Sequence, residues 1–254
     1  MRILQILHDR ERGGVQTLAA MIEEGLALHG VVLETAYLYP RPGLPALNKL
    51  IHTLAMAWCV LAGGFDGLIA YQSTASVLVG LAGWLSGCRL RIVHQTCTLD
   101  EVAPPVRFMD RLIGALGFYT INIANSAATL AEFKSYPIAY RRAMQVIEHG
   151  LDPPSPTRRR NEVRRRFALP LARPLLINVG RLVAQKNQEI LIRALSHVPK
   201  AHLVVAGGGE NEDACRALAA ELGVADRVHL LGAVEPSEIP DLYAAADVFV
   251  FPSV

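Results

Sequence analysis

Two hydrophobic patterns alternate along residues 1–150. In one pattern nearly every residue of a short run is apolar, as in RILQIL at 2–7. In the other, apolar residues recur at helical spacing, as Leu18, Met21 and Ile22 do. The predicted strands are 2–7, 31–39, 66–71, 89–95, 120–126 and 143–150, and the predicted helices are 15–30, 46–62, 74–86, 104–118 and 127–135. Strands that are apolar on both sides form parallel sheets covered by helices, so we predict an α/β domain with six parallel strands over residues 1–151.

A proline- and arginine-rich stretch interrupts this alternation, which then restarts. LDPPSPTRRRNEVRRRF contains two arginine triplets, and we predict a linker with a short basic helix over residues 152–172. We interpret the arginines as a solvated helix face; the alternative is attraction to anionic lipid. The predicted strands that follow are 175–179, 202–207, 227–232 and 248–252, with helices at 187–197, 212–222 and 236–246. Doubly wound units normally have about six strands, so we expect residues 173–254 to be a partial domain of a C-terminally truncated protein.

Composition narrows the function classes. Hydrophobic residues make up 52% of the chain, and 25 basic against 23 acidic residues leave a net charge of +2. That balance lacks the basic excess of nucleic-acid-binding proteins, so no nucleic-acid partner is expected. The four cysteines show no CxxC spacing. We interpret them as reduced thiols in or near the core of a cytoplasmic protein, and we expect no metal site.

The weakly charged stretch between Lys49 and Arg89 raises the question of a membrane span. Its longest apolar run, 54–65, has about a dozen residues, whereas a span needs about 20. We therefore predict a buried helix, a strand and a second buried helix. Helix 104–118 mixes basic and apolar residues, so peripheral contact with an anionic membrane at the inner face is an alternative to packing on its own sheet.

Arg181 and Lys186 follow the first strand of the second domain. In open α/β sheets ligands bind beyond the carboxyl ends of the strands, where loop amides and helix N-termini favour anions. An arginine fork and a mobile lysine charge suit a diphosphate and could take the place of a metal. The alternative is two solvated residues with ordinary salt bridges.

Glycine loops and one histidine complete the candidate chemistry. AGGGENED at 206–213 and ERGGVQT at 11–17 let main chain approach a ligand closely, or simply make tight turns. His94 ends a strand and precedes Gln95 and Thr96, which we also expect to face the site. His149 and His8 are the second and third candidates; for each histidine a structural role is the alternative.

Taken together, these segments resemble a known family. NVGRLVAQKNQEILIRAL, HLVVAGGGENED and RVHLLGAVEPSEIPDLYAAADVFVFPS occur in the order and spacing of the second domain of family 4 glycosyltransferases, which are retaining GT-B enzymes. GGVQTLA, RIVHQT, ANSAATLAEF and VIEHGLD resemble stretches of that family's first domain. The resemblance implies an α/β GT-B fold: two Rossmann-like doubly wound domains that face a cleft, the second incomplete here.

The resemblance also implies roles for the candidate residues. Arg181 and Lys186 would contact the diphosphate of a nucleotide-sugar donor, held mainly by the second domain, with no metal. His94 would lie beside the transferred sugar, in a positioning or acid/base role. The glycine loops imply a further donor set: Gly13 and Gly14 in the first domain, and Gly207, Gly209, Gly232, Ala233 and Val234 in the second, the last three near the nucleobase.

The expected function is therefore transfer of a sugar from a nucleotide-diphosphate sugar to a glycan or lipid-linked acceptor, without a cofactor. Two glutamates that the family carries after the FPS strand are not in the 254 residues, so we expect this form to be weakly active or inactive. The alternatives are a non-catalytic sugar-nucleotide-binding fragment and a nucleotide-sugar epimerase of the same fold.

Overall fold

The computed structural model describes residues 1–10, 13–150 and 153–253. The chain divides into two compact units, Met1–Gly150 and Leu151–Val254. The boundary predicted at 151 and 152 therefore falls outside the described residues, as do Glu11 and Arg12 of the first glycine loop and Val254.

The first unit is a parallel sheet of six strands in the order β2-β1-β3-β4-β5-β6. Its strands are β1 Arg2–Leu7, β2 Val32–Tyr37, β3 Gly67–Tyr71, β4 Leu90–Gln95, β5 Ile121–Ala124 and β6 Met144–Val146. Its helices are α1 Gly14–Ala27, α2 Ala46–Ala62, α3 Ser73–Leu85, α4 Pro104–Ala115, α5 Ala127–Glu132 and α6 Ile138–Arg142, with 3-10 turns at Leu99–Glu101 and Phe133–Ser135. The predicted α/β class and sheet type are confirmed.

Helices cover both faces of this sheet, as its apolar strands predict. One core cluster joins α2, α3 and α4 to the sheet, and a second joins α1 to the opposite face. Helix α3 packs closely: a Cβ on Gly80 would lie 2.6 Å from Ile113, and one on Gly83 would lie 2.6 Å from Leu68. The small residues of α3 therefore let it sit tightly on the sheet, in contact with both α2 and α4.

Helix α2 is not the buried helix that its composition predicts. Val60 is buried, but the large apolar side chains on the other side of the helix are exposed. The exposed set is Leu47, Leu50, Ile51, Leu54, Trp58 and Leu61. The prediction was wrong because an apolar sequence does not show how many sides of the helix pack against the rest of the protein. Within the described residues, no helix has both the length and the apolarity needed to cross a bilayer.

Two local predictions were also wrong. The strand expected at 143–150 has three residues, and the five-residue helix α6 before it was missed because it is too short to show a period. Cys59, expected in or near the core, is exposed on α2. Cys88 and Cys215 are buried, as expected.

A buried carboxyl group connects α4 to the sheet and to α6. Asp110 accepts hydrogen bonds from the hydroxyls of Tyr119 (2.8 Å) and Tyr140 (2.7 Å). Gln95 on β4 donates to both Tyr140 and Asn122, at 3.1 Å each. Burial raises the pKa of Asp110 to about 6, although the two tyrosine hydrogen bonds act in the opposite direction.

The second unit is a parallel sheet of four strands in the order β10-β7-β8-β9. Its strands are β7 Leu175–Val179, β8 His202–Ala206, β9 Val228–Leu230 and β10 Val248–Phe249. Its helices are α7 Arg160–Arg166, α8 Gln188–Leu195, α9 Glu212–Glu221 and α10 Ile239–Ala245, with 3-10 turns at Ala184–Lys186, Ala225–Arg227 and Pro236–Glu238. Core clusters lie on both faces of this sheet as well.

The solvated face predicted for the arginine triplets is only partly present: four of the six arginines are exposed, but Arg158 is half-buried and Arg164 is buried. Arg164 is buried and donates to the carbonyl of Ala245 at 2.9 Å and to Asp247 at 3.0 Å. Arg158 donates to the buried Asp241 at 2.8 Å. The neighbouring hydrogen bonds lower the pKa of Asp247 to about 2, first through Arg160. The arginines therefore fasten α7 to α10 and to the start of β10.

We expect Asp110→Asn to flatten the pH dependence of stability in the first unit. The pKa of Asp110 is raised in the folded state, so the folded chain holds a proton that the unfolded chain loses above its ordinary value of 3.8. The contribution of Asp110 to stability is fully present below that value and is lost as pH rises through about 6, by up to roughly 3 kcal/mol. Asparagine cannot ionise, so this loss should disappear.

The measurement is urea unfolding followed by tryptophan fluorescence at pH 4.5 and pH 7.5, because both tryptophans, Trp58 and Trp84, lie in this unit. Asp100→Asn is the control, since that side chain is fully exposed. A difference between the two pH values that is the same in Asp110→Asn as in the unmodified chain would contradict the prediction.

Candidate functional site

Main-chain hydrogen bonds join three loops at the carboxyl edge of the second unit's sheet. The amide of Leu182, after β7, donates to the carbonyl of Gly208, after β8, at 3.0 Å. The amide of Gly207 donates to the carbonyl of Gly232, after β9, at 2.7 Å. The amide of Asn211 returns to the carbonyl of Leu182 at 3.0 Å. Residues predicted in three separate loops therefore lie at one edge, which we call the loop shelf: 180–187, 207–211 and 232–235.

Two glycines of the loop shelf are required by its own packing. A Cβ on Gly207 would lie 2.0 Å from the carbonyl oxygen of Gly180, and one on Gly209 would lie 2.3 Å from that of Leu182. A Cβ on Gly208 would have its nearest neighbour at 3.8 Å. The close approach of one loop to another therefore explains why Gly207 and Gly209 are glycines. This agrees with the alternative given above, in which these glycines make tight turns.

Arg181 sits on this shelf, and two buried amides fix the main chain around it. The side chain of Gln188, at the start of α8, donates to the carbonyl of Arg181 at 3.0 Å and to Asn178 at 3.3 Å. Asn178 donates in turn to the carbonyl of Val250, at 2.8 Å. The Arg181 side chain is exposed. The sequence analysis missed Asn178 and Gln188, although a lone amide inside the apolar strand 175–179 was a visible signal.

Lys186 lies in the same loop, at the end of the 3-10 turn that leads into α8. Its side chain is half-buried, and its Nζ lies 4.8 Å from the ring centroid of Phe251, which follows β10. Asn187 links the 3-10 turn to α8 in the left-handed conformation, with φ 49°. The loop thus places two cationic side chains at the N-terminus of a helix, where anions are favoured. Phe251 was not predicted from the sequence.

The third loop, which follows β9, presents mainly main-chain atoms on the loop shelf. Gly232 has φ +67°, which favours glycine. Ala233 is exposed, whereas Val234 packs against the core of the unit beneath α10. The amide nitrogen of Ala233 is the atom nearest to a Cβ on Gly208. Ala233 and Gly208 are therefore neighbours on the loop shelf.

His94 lies at the carboxyl end of β4 in the first unit and is buried. Its ring stacks on Tyr71 at 4.8 Å and lies 6.3 Å from the ring of the exposed His149. Burial, and then the charge of His149, lower the pKa of His94 to about 4, so the ring is neutral at pH 7. Nδ1 of His94 and Oγ1 of Thr96 are buried without a hydrogen-bond partner among the described residues.

Tyr71, on which the His94 ring stacks, is itself held by hydrogen bonds within the sheet. The Tyr71 hydroxyl donates to Gln5 at 3.1 Å, and Gln5 donates to Thr35 at 2.7 Å. Gln95 does not share the position of His94: it bonds into the Asp110 network, because successive strand residues point to opposite faces. The expectation that Gln95 faces the site was therefore wrong.

The first glycine loop is described from Gly13 onward. Gly13 is extended and caps α1, and a Cβ there would meet the Gln16 side chain at 3.2 Å. A Cβ on Gly14 would have no neighbour within 4 Å. His8 lies near this loop, where its Nδ1 pairs with Asp9 at 3.0 Å. Packing within the first unit does not require a glycine at position 14.

Comparison with known proteins settles the family. Residues 159–254 match the family model of the glycosyl transferases group 1. A D-inositol 3-phosphate glycosyltransferase of Xylanimonas cellulosilytica is 32% identical over 200 residues, which cover 69% of this chain and 48% of the relative. The chain belongs to the group 1 glycosyl transferases. The predicted resemblance to glycosyltransferases is confirmed.

A second relative has higher identity over a shorter stretch. A GDP-mannose-dependent alpha-(1-6)-phosphatidylinositol monomannoside mannosyltransferase of Mycobacterium tuberculosis is 40% identical over 97 residues, which cover 37% of this chain and 25% of the relative. The chain thus spans about half the length of the first relative and a quarter of the second.

A solved structure has the same fold. The Anabaena protein HepE in complex with UDP-glucose superposes with a TM-score of 0.79 at 21% identity, over 100% of this chain and 74% of HepE. The predicted GT-B fold with Rossmann-like units is therefore confirmed.

We expect Gly209→Ala to destabilise the second unit by about 1 to 3 kcal/mol, because its Cβ would overlap the main chain of Leu182. Gly208→Ala is the matched control, and it should unfold within a degree or two of the unmodified chain. The measurement is thermal unfolding followed by circular dichroism. Equal Tm values for the two variants would show that the loop shelf is not packed as described.

Proposed function

We propose that the chain is part of a retaining glycosyltransferase that moves a sugar from a nucleotide-diphosphate sugar to a glycan or lipid-linked acceptor. In this proposal the loop shelf of the second unit holds the donor, and the first unit supplies groups near the transferred sugar and the acceptor. The observation that carries the proposal is the meeting of Arg181, Lys186 and the start of α8 on one shelf of closely packed loops.

The proposed donor contacts follow from the chemistry of the shelf. Arg181 can grip two phosphate oxygens with its planar fork, and Lys186 adds a mobile point charge. Phe251 lies against Lys186 and limits where its ammonium group can go. Open space at the half-buried Gly208, beside the exposed Ala233, leaves room for a flat or sugar-like group, since a Cβ on Gly208 has no neighbour closer than 3.8 Å. Gly207, Gly209 and Gly232 keep the loops in this arrangement.

In this proposal the two cations stabilise the leaving group. When the bond from the sugar to the diphosphate breaks, negative charge develops on the departing nucleoside diphosphate. Fixed positive groups stabilise that charge more in the transition state than in the ground state, which accelerates the step. We propose that Arg181 and Lys186 do this without a metal ion.

The first unit is proposed to act through His94 and the Gly13–Gly14 loop. A neutral imidazole with an unpaired Nδ1 can exchange a hydrogen bond with a sugar hydroxyl. Open space at Gly14 lets main-chain amides approach a phosphate. Two relatives are named for D-inositol 3-phosphate and for phosphatidylinositol monomannoside, which supports a hydroxyl-bearing acceptor. The free thiols of the described cysteines support a cytoplasmic place of action.

The test is calorimetric titration of the chain with UDP and with GDP, since relatives are named for both nucleotides. We expect one of them to bind, and we expect Arg181→Ala and Lys186→Ala each to weaken that binding about tenfold or more, because each removes a charge-assisted hydrogen bond. Excess chelator should leave the affinity unchanged.

Arg193→Ala is the matched control: it removes an exposed arginine from α8 of the same unit and should not change the affinity. The proposal fails if neither nucleotide binds at millimolar concentration, or if Arg193→Ala weakens binding as much as Arg181→Ala does.

A further inference from the structure

One helix of the first unit presents an apolar stripe to solvent. The exposed residues of α2 follow the helical spacing i, i+3, i+4, i+7, i+11 and i+14, so they form a single line along its outer side. Trp58 is 71% exposed, Leu47 67% and Leu54 61%. The opposite side of the helix carries the buried Val60 and packs on the core. Nothing in the described first unit covers the stripe.

The apolar surface continues on the two helices beside α2. Helix α3 contacts both α2 and α4, and it exposes Trp84 and Leu85 near its C-terminal end. The ring of Trp84 stacks on Phe118, 4.7 Å away, just beyond α4. Helix α4 exposes Phe108 (65%) and Leu112. We call this surface the outer apolar face, and it consists of the exposed apolar residues of α2, α3 and α4.

The formal charges of these three helices are of one sign at the surface. Lys49 on α2 and Arg107 and Arg111 on α4 are the basic residues, and α3 has no ionisable residue. The one acidic residue of the three helices is Asp110, which is buried. An apolar surface edged by cations suits the interface of a membrane with anionic lipids.

A cavity at the edge of the outer apolar face has the lining of a phosphate site. It encloses about 380 Å³, and Arg107, Phe108, Arg111, Ser135 and Tyr136 line it together with Leu99 and Pro104. Tyr136 is 6% exposed, and within the described residues its hydroxyl has no hydrogen-bond partner. A buried hydroxyl without a partner costs free energy, so a ligand oxygen there would remove that cost.

The two arginines are held so that they can serve this cavity. Arg111 lies over the ring of Tyr136, with its Cζ 5.4 Å from the ring centroid, and its hydrogen bond to the carbonyl of Ser135 is long at 3.5 Å. Arg107 lies 4.0 Å from the fully exposed Asp100, a distance at which the pair contributes little. Both guanidinium groups therefore have N–H donors available to bind an anion.

We propose that the outer apolar face docks on an anionic lipid bilayer, with the apolar residues of α2 to α4 in the interface and a lipid phosphate in the cavity of Arg107, Arg111 and Tyr136. The helices lie on the membrane and do not cross it. This surface is separate from the loop shelf, and the inference does not depend on the sugar-transfer proposal.

Two features favour a bilayer over a second copy of the chain. Pairing the face with its own copy would bring Lys49, Arg107 and Arg111 near residues of the same charge. Both tryptophans of the chain, Trp58 and Trp84, lie on this face, and tryptophan favours the boundary between headgroups and acyl chains. Arg107 and Arg111 line the cavity together with Tyr136, whose hydroxyl has no hydrogen-bond partner among the described residues; a lipid phosphate can accept from all three side chains, whereas a second copy of this face brings further cations.

The experiment is co-sedimentation of the full chain with phosphatidylcholine vesicles containing about one third phosphatidylglycerol, and with pure phosphatidylcholine vesicles. Tryptophan emission is recorded in parallel. We expect binding to the anionic vesicles with a blue shift of the emission, and at least tenfold weaker binding to the neutral ones.

Variants separate the two parts of the surface. Leu54→Glu should lower the partition coefficient about tenfold or more, because it places a charge in the apolar stripe. Arg107→Gln with Arg111→Gln should lower it roughly 25-fold, since each basic residue near an anionic surface contributes about a fivefold gain. Tyr136→Phe should lower it about fivefold on anionic vesicles and leave binding to neutral ones unchanged.

The controls are Leu28→Glu, which changes an 87% exposed leucine at the end of α1, and Arg193→Gln in the second unit. Neither should alter binding. Binding that is equal on neutral and anionic vesicles would overturn the phosphate part of the proposal. A dimer in solution without vesicle binding would assign the face to a second copy. Inorganic phosphate that stabilises the chain through Arg107 and Arg111, without vesicle binding, would assign the cavity to free phosphate.

Discussion

The approach of main chain to main chain at the edge of the second sheet controls the rest of the candidate site. Gly207 and Gly209 lie so close to Gly180 and Leu182 that no side chain fits between them. This contact joins three loops into a single shelf. It also fixes the path of the main chain between the end of β7 and the start of α8. Arg181 and Lys186 are long and mobile by themselves. The shelf and the buried Gln188 fix the main chain from which these side chains extend, which limits the region that their charges can reach.

The two units differ in the charge of the candidate groups that each offers to the proposed function. The second unit offers fixed cations, which suit a leaving group that becomes more negative. The first unit offers His94, whose burial lowers its pKa to about 4 and keeps it neutral at pH 7. A neutral ring can exchange hydrogen bonds with a sugar hydroxyl without repelling an electron-poor sugar carbon. Tyr71 packs against one face of the ring, so the ring's orientation is set by the sheet.

Apolar runs bounded by polar or helix-breaking residues were predicted to the residue, as strands 2–7 and 175–179 and helix 46–62 show. The candidate residues were placed at the correct sheet edges, because parallel topology sends every strand's carboxyl end to one side. Their partners were not predicted. Arg164 and its neighbours looked alike in the sequence, yet Arg164 is buried beside Asp247, 83 residues away. No local pattern distinguishes an arginine that meets such a partner from one in water.

The burial of α2 was predicted wrongly for a physical reason that applies to apolar helices in general. Helical periodicity reports which residues share a side, but when both sides are apolar it does not report which one faces the sheet. Only packing decides that: Val60 fits against α3 and the core, while Trp58 and the leucines in line with it turn outward. This apolar surface stays in water after the first unit folds, so it contributes nothing to the stability of the unit, and its burial against a partner is still favourable. A surface of that kind beside an unpaired buried hydroxyl and two arginines is explained by a partner that is both apolar and anionic, and a lipid bilayer has both properties.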